Sequence, residues 1–221
     1  MKIKLIILLF IVSSSLSYSQ IIKGIGIKSG LSLSNQYWED TKFSYDYKFN
    51  TTLGYYEAIT IDFISKEFWE LSADLGIYQS GSKSEISPFS GFTAETLGEF
   101  NFKFGFITLS PVAKFKIPIN SFTPYLLVAP RFDYYNADVS NKNANSFQST
   151  IRKPIWGFTI GEGVAYKIKN FSLFAEYQFF YSFNYLMDEP ATYPNYYVTR
   201  DKVKTNTHVI SLGLKYHFTK D

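Results

Sequence analysis

The chain has no cysteine, only two histidines and, after its first dozen residues, no apolar run approaching the ~20 residues of a membrane-spanning helix. Each shortage removes a class of protein. Without cysteine there is no disulfide, no thiol nucleophile and no lipoprotein attachment. His208, His217 and scattered acids give none of the spacings that fix zinc, and no calcium-loop motif occurs, so neither metal nor cofactor is expected. Charge of one sign is also lacking: 22 Lys and Arg stand against 19 Asp and Glu, which gives no electrostatic pull towards nucleic acid.

The amino end reads as an export signal. Lys2 and Lys4 precede the apolar run Ile3 to Val12, and a Ser-rich stretch ends in Ser17, Tyr18, Ser19, with small residues at the positions a signal peptidase reads. Cleavage is expected after Ser19. The run is about half of the length that a retained anchor needs. Residues 20–221 then form one domain, and removing Lys2 and Lys4 takes the formal net charge from +3 to +1.

What is abundant is aromatic: 22 Phe, 18 Tyr and 3 Trp make up 19% of a chain whose mean hydropathy is only −0.08. A barrel that alternates lipid-facing and lumen-facing residues averages to such a value. Period-two patterning bounded by turn residues predicts eight strands: Ile22–Ser34, Leu53–Ile64, Phe68–Gln79, Phe102–Ile117, Phe122–Tyr135, Ile155–Ile168, Phe171–Phe183 and Thr205–Phe218. In the last, Ile210, Leu212, Leu214, Tyr216 and Phe218 share one face, and Val209, Ser211, Gly213, Lys215 and His217 the other. Glu57 and Glu162 fall on outward faces, which suits a membrane only near the headgroups. Pro111 and Pro130 each remove a ladder donor, so each is expected to need a bulge or a kink.

The connections carry more information than the strands. Ser65–Glu67, Pro118–Ser121 and Lys169–Asn170 are short, whereas Asn35–Thr52, Ser80–Asn101, Asn136–Pro154 and Asn184–Lys204 are long. Strict alternation of short and long is the mark of an up-and-down barrel with tight periplasmic turns and long extracellular loops. An immunoglobulin-like sandwich has no reason to sort its loops by parity. Both termini then lie at the periplasmic end.

In order along the chain, GIGIKSGLSLS (Gly24–Ser34), GYYEAITIDF (Gly54–Phe63), WELSADLGIYQSGS (Trp69–Ser82), ITLSPVAKFKI (Ile107–Ile117), FTPYLLVAP (Phe122–Pro130), GFTIGEGVAY (Gly157–Tyr166), FSLFAEYQF (Phe171–Phe179) and VISLGLKYHF (Val209–Phe218) resemble the strands of the PorT-like outer-membrane β-barrel proteins. The resemblance spans nearly all of residues 20–221. It implies a small barrel in the outer membrane of a Gram-negative bacterium, with some members tied to secretion or adhesion, and it brings no catalytic residues. Phe218 stands where such proteins carry the aromatic that the barrel-insertion machinery recognises, although Thr219, Lys220 and Asp221 follow it. Glu176 stands where such strands often carry arginine.

Eight strands leave an interior wide enough only for side chains. The inward positions hold Lys28, Lys114, Lys116, Arg131 and Lys215 with Asp62, Glu70, Asp74, Asp133 and Glu176, five bases and five acids. An unpaired charge there would cost several kcal/mol, so the lumen is expected to be plugged by ion pairs; a narrow water path is the alternative. A hydrolytic site is not expected. His208 and Ser211 point to opposite faces of one strand, and His217 lies six residues from Ser211, roughly 20 Å at strand rise. His217 suits the periplasmic rim and His208 the outer rim.

The long loops carry what remains. Tyr37, Trp38, Tyr45 and Tyr47 in the first, and Tyr193, Tyr196 and Tyr197 in the last, suit contacts with an extracellular protein or glycan; the competing reading is that they extend the strands and mark the membrane interface. The sequence therefore predicts an all-β, eight-stranded, antiparallel outer-membrane barrel, monomeric and non-enzymatic, with a structural or surface-interaction role. Its partners would be outer-membrane lipid and the insertion machinery. The alternatives are an exported soluble lipocalin-like ligand binder, greasy inside and not outside, and a small passive channel.

Overall fold

The computed structural model describes residues 22–40, 45–47, 50–86, 97–138, 154–190 and 200–218. Expectations that fall on the remaining residues, including the leader, Tyr193, Tyr196, Tyr197 and Thr219–Asp221, lie outside the described residues. The elements are β1 (Gly24–Asp40), β2 (Tyr45–Tyr47), β3 (Thr52–Ser65), β4 (Trp69–Ile86), β5 (Leu97–Lys116), β6 (Phe122–Asp138), β7 (Ile155–Ile168), β8 (Phe171–Ser182), β9 (Met187–Pro190) and β10 (Arg200–His217).

Eight long strands pair antiparallel in sequence order, and β1 closes on β10 from Gly24↔His217 to Asp40↔Asp201. The two short strands are additions at the long-loop end: β2 pairs with β1 over Trp38–Asp40, and β9 pairs with β10 over Arg200–Val203. Closure removes the free edges that would otherwise template pairing with another chain. Among the described residues no helix is long and apolar enough to cross a membrane, which bears on helices only.

Alternation places the apolar residues outside. Leu212 is 69% exposed, Ile27 64% and Leu126 61%, whereas Lys28, on the strand of Ile27, is 3% exposed. Aromatic side chains mark the two edges of this wall. Phe68, Phe122, Tyr166 and Phe171 lie by the short turns, and Tyr55, Tyr134 and Trp156 lie towards the other end. The turns at the first edge are tight, and Asn120 and Lys169 adopt the left-handed conformation they require, with φ of 57° and 55°.

Several expectations need correction. Strands β1, β4, β5 and β10 run well into the stretches expected as long loops, so Tyr37 and Trp38 belong to β1, and Tyr45 and Tyr47 to β2. The period-two signal fails there because polar residues occupy both faces; Tyr78 to Ser82 are all buried. What holds these extensions is polar. Ser32 Oγ donates to Gln79 O at 2.6 Å, Gly81 N donates to Ser34 Oγ at 2.7 Å, and Ser82 Oγ donates to Gln36 Oε1 at 2.9 Å.

The prolines need neither a bulge nor a register change. Pairing of β5 with β6 passes from Leu109↔Phe132 to Ala113↔Val128 in the same register, leaving Pro111 and Pro130 opposite one another in a single gap of the ladder. Two missing donors thus share one interruption. The irregularities lie elsewhere, at Asp62/Ile64 between β3 and β4, at Ser84/Ile86 between β4 and β5, and at Gly105/Phe106 between β5 and β6. The first turns both Phe63 and Ile64 outward.

Glu57 and Glu162 do face out, but not at the ends of their strands. Glu57 pairs with Ser29 and Ile77, and Glu162 with Leu126 and Tyr177, within the apolar wall. Parity explains Glu57, because any register that turned it inward would expel Asp62 from the lumen. A lipid-facing acid is also cheaper than a lipid-facing base.

Candidate functional site

The distinctive chemistry of the barrel lies in its lumen, and alternation delivers it: every second residue of each strand converges on the axis. All ten charged positions expected to face inward do so, in two groups. Nearer the short turns, Lys28 Nζ sits 2.6 Å from Asp74 Oδ2 and 2.7 Å from Glu176 Oε2. Lys114 Nζ reaches the other oxygen of Glu176 at 2.7 Å, so one carboxylate joins two ammonium groups. Lys215 Nζ bridges Asp62 at 2.8 Å and Glu70 at 2.7 Å, and Lys116 Nζ stands 3.6 Å from Glu70 Oε2. Four lysines and four carboxylates thus form two ion-paired sets, Lys28–Asp74–Glu176–Lys114 and Lys215–Asp62–Glu70–Lys116, which meet where Glu70 and Lys114 are cross-strand neighbours and together make the larger cluster.

The second group is smaller. Arg131 Nε donates to Asp133 Oδ2 at 2.7 Å and its Nη2 to Ser182 Oγ at 3.1 Å. Its guanidinium lies 4.5 Å from the Phe180 ring centre and 5.9 Å from that of Tyr78. Tyr78 stacks on Phe106 at 5.1 Å and meets Phe180 edge-on at 5.3 Å, while Phe106 meets Tyr135 at 6.1 Å. Leu186, Met187 and Val203 complete this cluster of buried side chains.

Inward parity finds the charges but misses the groups that finish them. Tyr125 OH donates to Glu176 Oε1 at 2.9 Å, Gln178 Nε2 to Glu176 Oε2 at 2.8 Å, and Tyr78 OH to Asp133 Oδ2 at 2.9 Å. Such charge-assisted bonds are shorter and stronger than bonds between neutral groups. Their signal was available: each shares the inward face of its strand. Space for the rings comes from glycine. A Cβ on Gly163 would stand 2.6 Å from the Tyr125 ring, and one on Gly213 would enter the ring of Phe174.

The histidines find partners that spacing within one strand could not reveal. His217 Nε2 lies 2.8 Å from Ser172 Oγ across the β8–β10 pair, at the short-turn end, a separation at which an imidazole can take a proton from a hydroxyl. His208 Nδ1 lies 2.6 Å from Tyr177 OH on the outer wall. Phe218 follows β10, exposed, its amide donating to Lys23 O at 2.9 Å and its ring edge-on to Tyr216.

Beneath the larger cluster the lumen widens into a vestibule of about 550 Å³ that opens between the short turns. Lys114, Lys116, Lys215, Ser172, His217, Tyr125 and Phe174 contribute to its wall. At the opposite end the second cluster fills the lumen with buried rings.

No family profile and no curated protein matches the chain. Solved structures do. The outer membrane protein OprG from Pseudomonas aeruginosa is similar with a TM-score of 0.50 at 11% identity, over 88% of this chain and 96% of that one. Neisserial surface protein A gives 0.47 at 13% identity, over 88% and 97%. The outer membrane protease OmpT from Escherichia coli gives 0.45 at 10% identity, over 92% and 99%. At these identities the likeness to OprG bears on the fold, a closed antiparallel barrel of the outer-membrane kind.

Proposed function

We propose that this chain is an outer-membrane β-barrel protein with a structural or surface-interaction role, its lumen closed by its own side chains. The observation that carries the reading is inverted polarity: exposed Leu, Ile and Phe form the outer wall, while Lys28, Arg131, Asp62, Asp133 and Glu176 are each at most 3% exposed inside. Only a hydrocarbon solvent makes that arrangement favourable. A soluble lipocalin-like barrel carries the opposite polarity.

The rest of the reading is proposed together with that solvent. Residues 1–19 act as a cleaved export signal, the short-turn end faces the periplasm, and Phe218 serves the insertion machinery. The barrel is a monomer in outer-membrane lipid. Tyr37, Trp38, Tyr45 and Tyr47, with Tyr193, Tyr196 and Tyr197, are the proposed contacts for an extracellular protein or glycan. The ordered strand motifs support kinship with the PorT-like barrels.

Heat-modifiable gel migration after detergent extraction tests the barrel, and planar-bilayer recording tests its closure. A folded band and no stable conductance step are expected; steps of one defined size would replace the plugged reading with the passive channel. The non-enzymatic reading is most exposed at Ser172 and His217. Ester hydrolysis by the folded protein that disappears in Ser172→Ala would overturn it.

A further inference from the structure

The charges of the lumen cluster balance, but those of the vestibule beneath it do not. Lys28, Lys114, Lys116 and Lys215 are matched by Asp62, Glu70, Asp74 and Glu176, four against four. Among the described residues the vestibule wall adds Lys23 and Lys66 against Glu67, besides Lys167, which has a partner of its own, so positive charge is in excess there. Lys116 is the most loosely held of the inner lysines. Its side chain keeps 15% exposure, and its acid, Glu70 at 3.6 Å, is already engaged by Lys215 at 2.7 Å.

Neutral donors converge on the same space: the hydroxyl of Ser172 with the His217 ring against it, Asn120 and Thr123. No arginine is among the lining residues. Ammonium groups act as compact point charges and hydroxyls as point donors, and both suit the tetrahedral oxygens of a phosphate. A cavity of about 550 Å³ has the size of a small-molecule site, with the rings of Tyr125 and Phe174 as an apolar wall for whatever the phosphate is attached to.

We propose that the vestibule at the short-turn mouth binds a phosphorylated anion, its phosphate held by Lys23, Lys66 and Lys116. The inference goes beyond the outer-membrane reading, and only the source of the ligand, a soluble periplasmic phosphate ester or a phospholipid headgroup, rests on it.

Calorimetric titration of pyrophosphate into the folded barrel in uncharged detergent tests the site. Saturable binding is expected, weakened about tenfold or more in Lys23→Gln/Lys66→Gln and again by Lys116→Gln, and unchanged in Lys202→Gln at the far end. The absence of saturable heat at millimolar pyrophosphate would overturn the proposal, as would an equal loss from Lys202→Gln, which would make the effect diffuse charge. Should Lys116→Gln fail to give the folded band, the rim double variant carries the comparison, since its lysines lie outside the buried cluster. Repeating the titration in phosphatidylglycerol and phosphatidylcholine nanodiscs separates the sources. Competition by the anionic lipid assigns the headgroup, unchanged affinity assigns a soluble ester, and both uphold the site. Gel migration reports insertion independently, so failure of binding and failure of the barrel are distinguishable.

Discussion

Towards the short turns the lumen is filled by four lysines and four carboxylates; towards the long-loop end it is filled by aromatic rings around one arginine–aspartate pair. The two halves answer one constraint, an interior that must hold no unmatched charge and little empty space, by different chemistry. The charged half is directional: Lys28, Lys114 and Lys215 each hold an acid within hydrogen-bond reach, and Glu176 serves two lysines, a tyrosine and a glutamine at once. The aromatic half relies on volume, with Phe180 wedged edge-on against Tyr56 at 5.9 Å and Tyr78 at 5.3 Å. Loss of one side chain should therefore act differently in each.

Glu176→Gln should have the largest effect. It removes the only anion bonded to Lys114 among the described contacts, and leaving a buried charge unpaired costs about 3–5 kcal/mol. Urea unfolding in lipid vesicles, followed by tryptophan fluorescence, would read the loss as a lower midpoint. Adding Lys114→Gln should restore part of it, because the remaining charges Lys28 and Asp74 still match. No recovery would mean that the half is held by packing, like its neighbour.

Phe180→Ala should cost about 3 kcal/mol through the cavity it leaves. It also uncovers the guanidinium of Arg131, 4.5 Å from the ring centre. Here no charge partner is lost, so no second charge substitution should rescue it. Rescue by Arg131→Leu would contradict the proposed division of labour.

Lys116→Gln should be the mildest, below about 1 kcal/mol, because the lysine is partly exposed and its ion pair is long at 3.6 Å. The same unfolding measurement applies. A loss as large as that of Glu176→Gln would mean that the cluster extends to the rim as one unit.

The extent to which the fold was legible in the sequence follows from where two environments differ. Along Ile155–Ile168 the outer wall is apolar and the inner one is small and polar, and the predicted strand and β7 coincide. Along Ser80–Ile86, Leu97–Asn101 and Arg200–Lys204 the strands continue where alternation fades, because pairing and serine hydrogen bonds to backbone hold them instead. Pro111 and Pro130 each signal a break, yet only the β5–β6 register brings them opposite one another. The inward charges could be named from parity alone. Their partners could not.

Period two, the parity of loop lengths and the balance of inward charge determine by themselves that this chain makes a closed barrel with apolar residues outside, since a strand offers each side chain only two faces and a lumen tolerates only matched charges. Which lysine meets which acid, that Ser172 meets His217 and that lysines gather at the short-turn mouth are decided by the closure of β1 on β10 and the registers around the ring. Those contacts join residues as far apart as Asp62 and Lys215, and no local pattern carries a distance across the lumen.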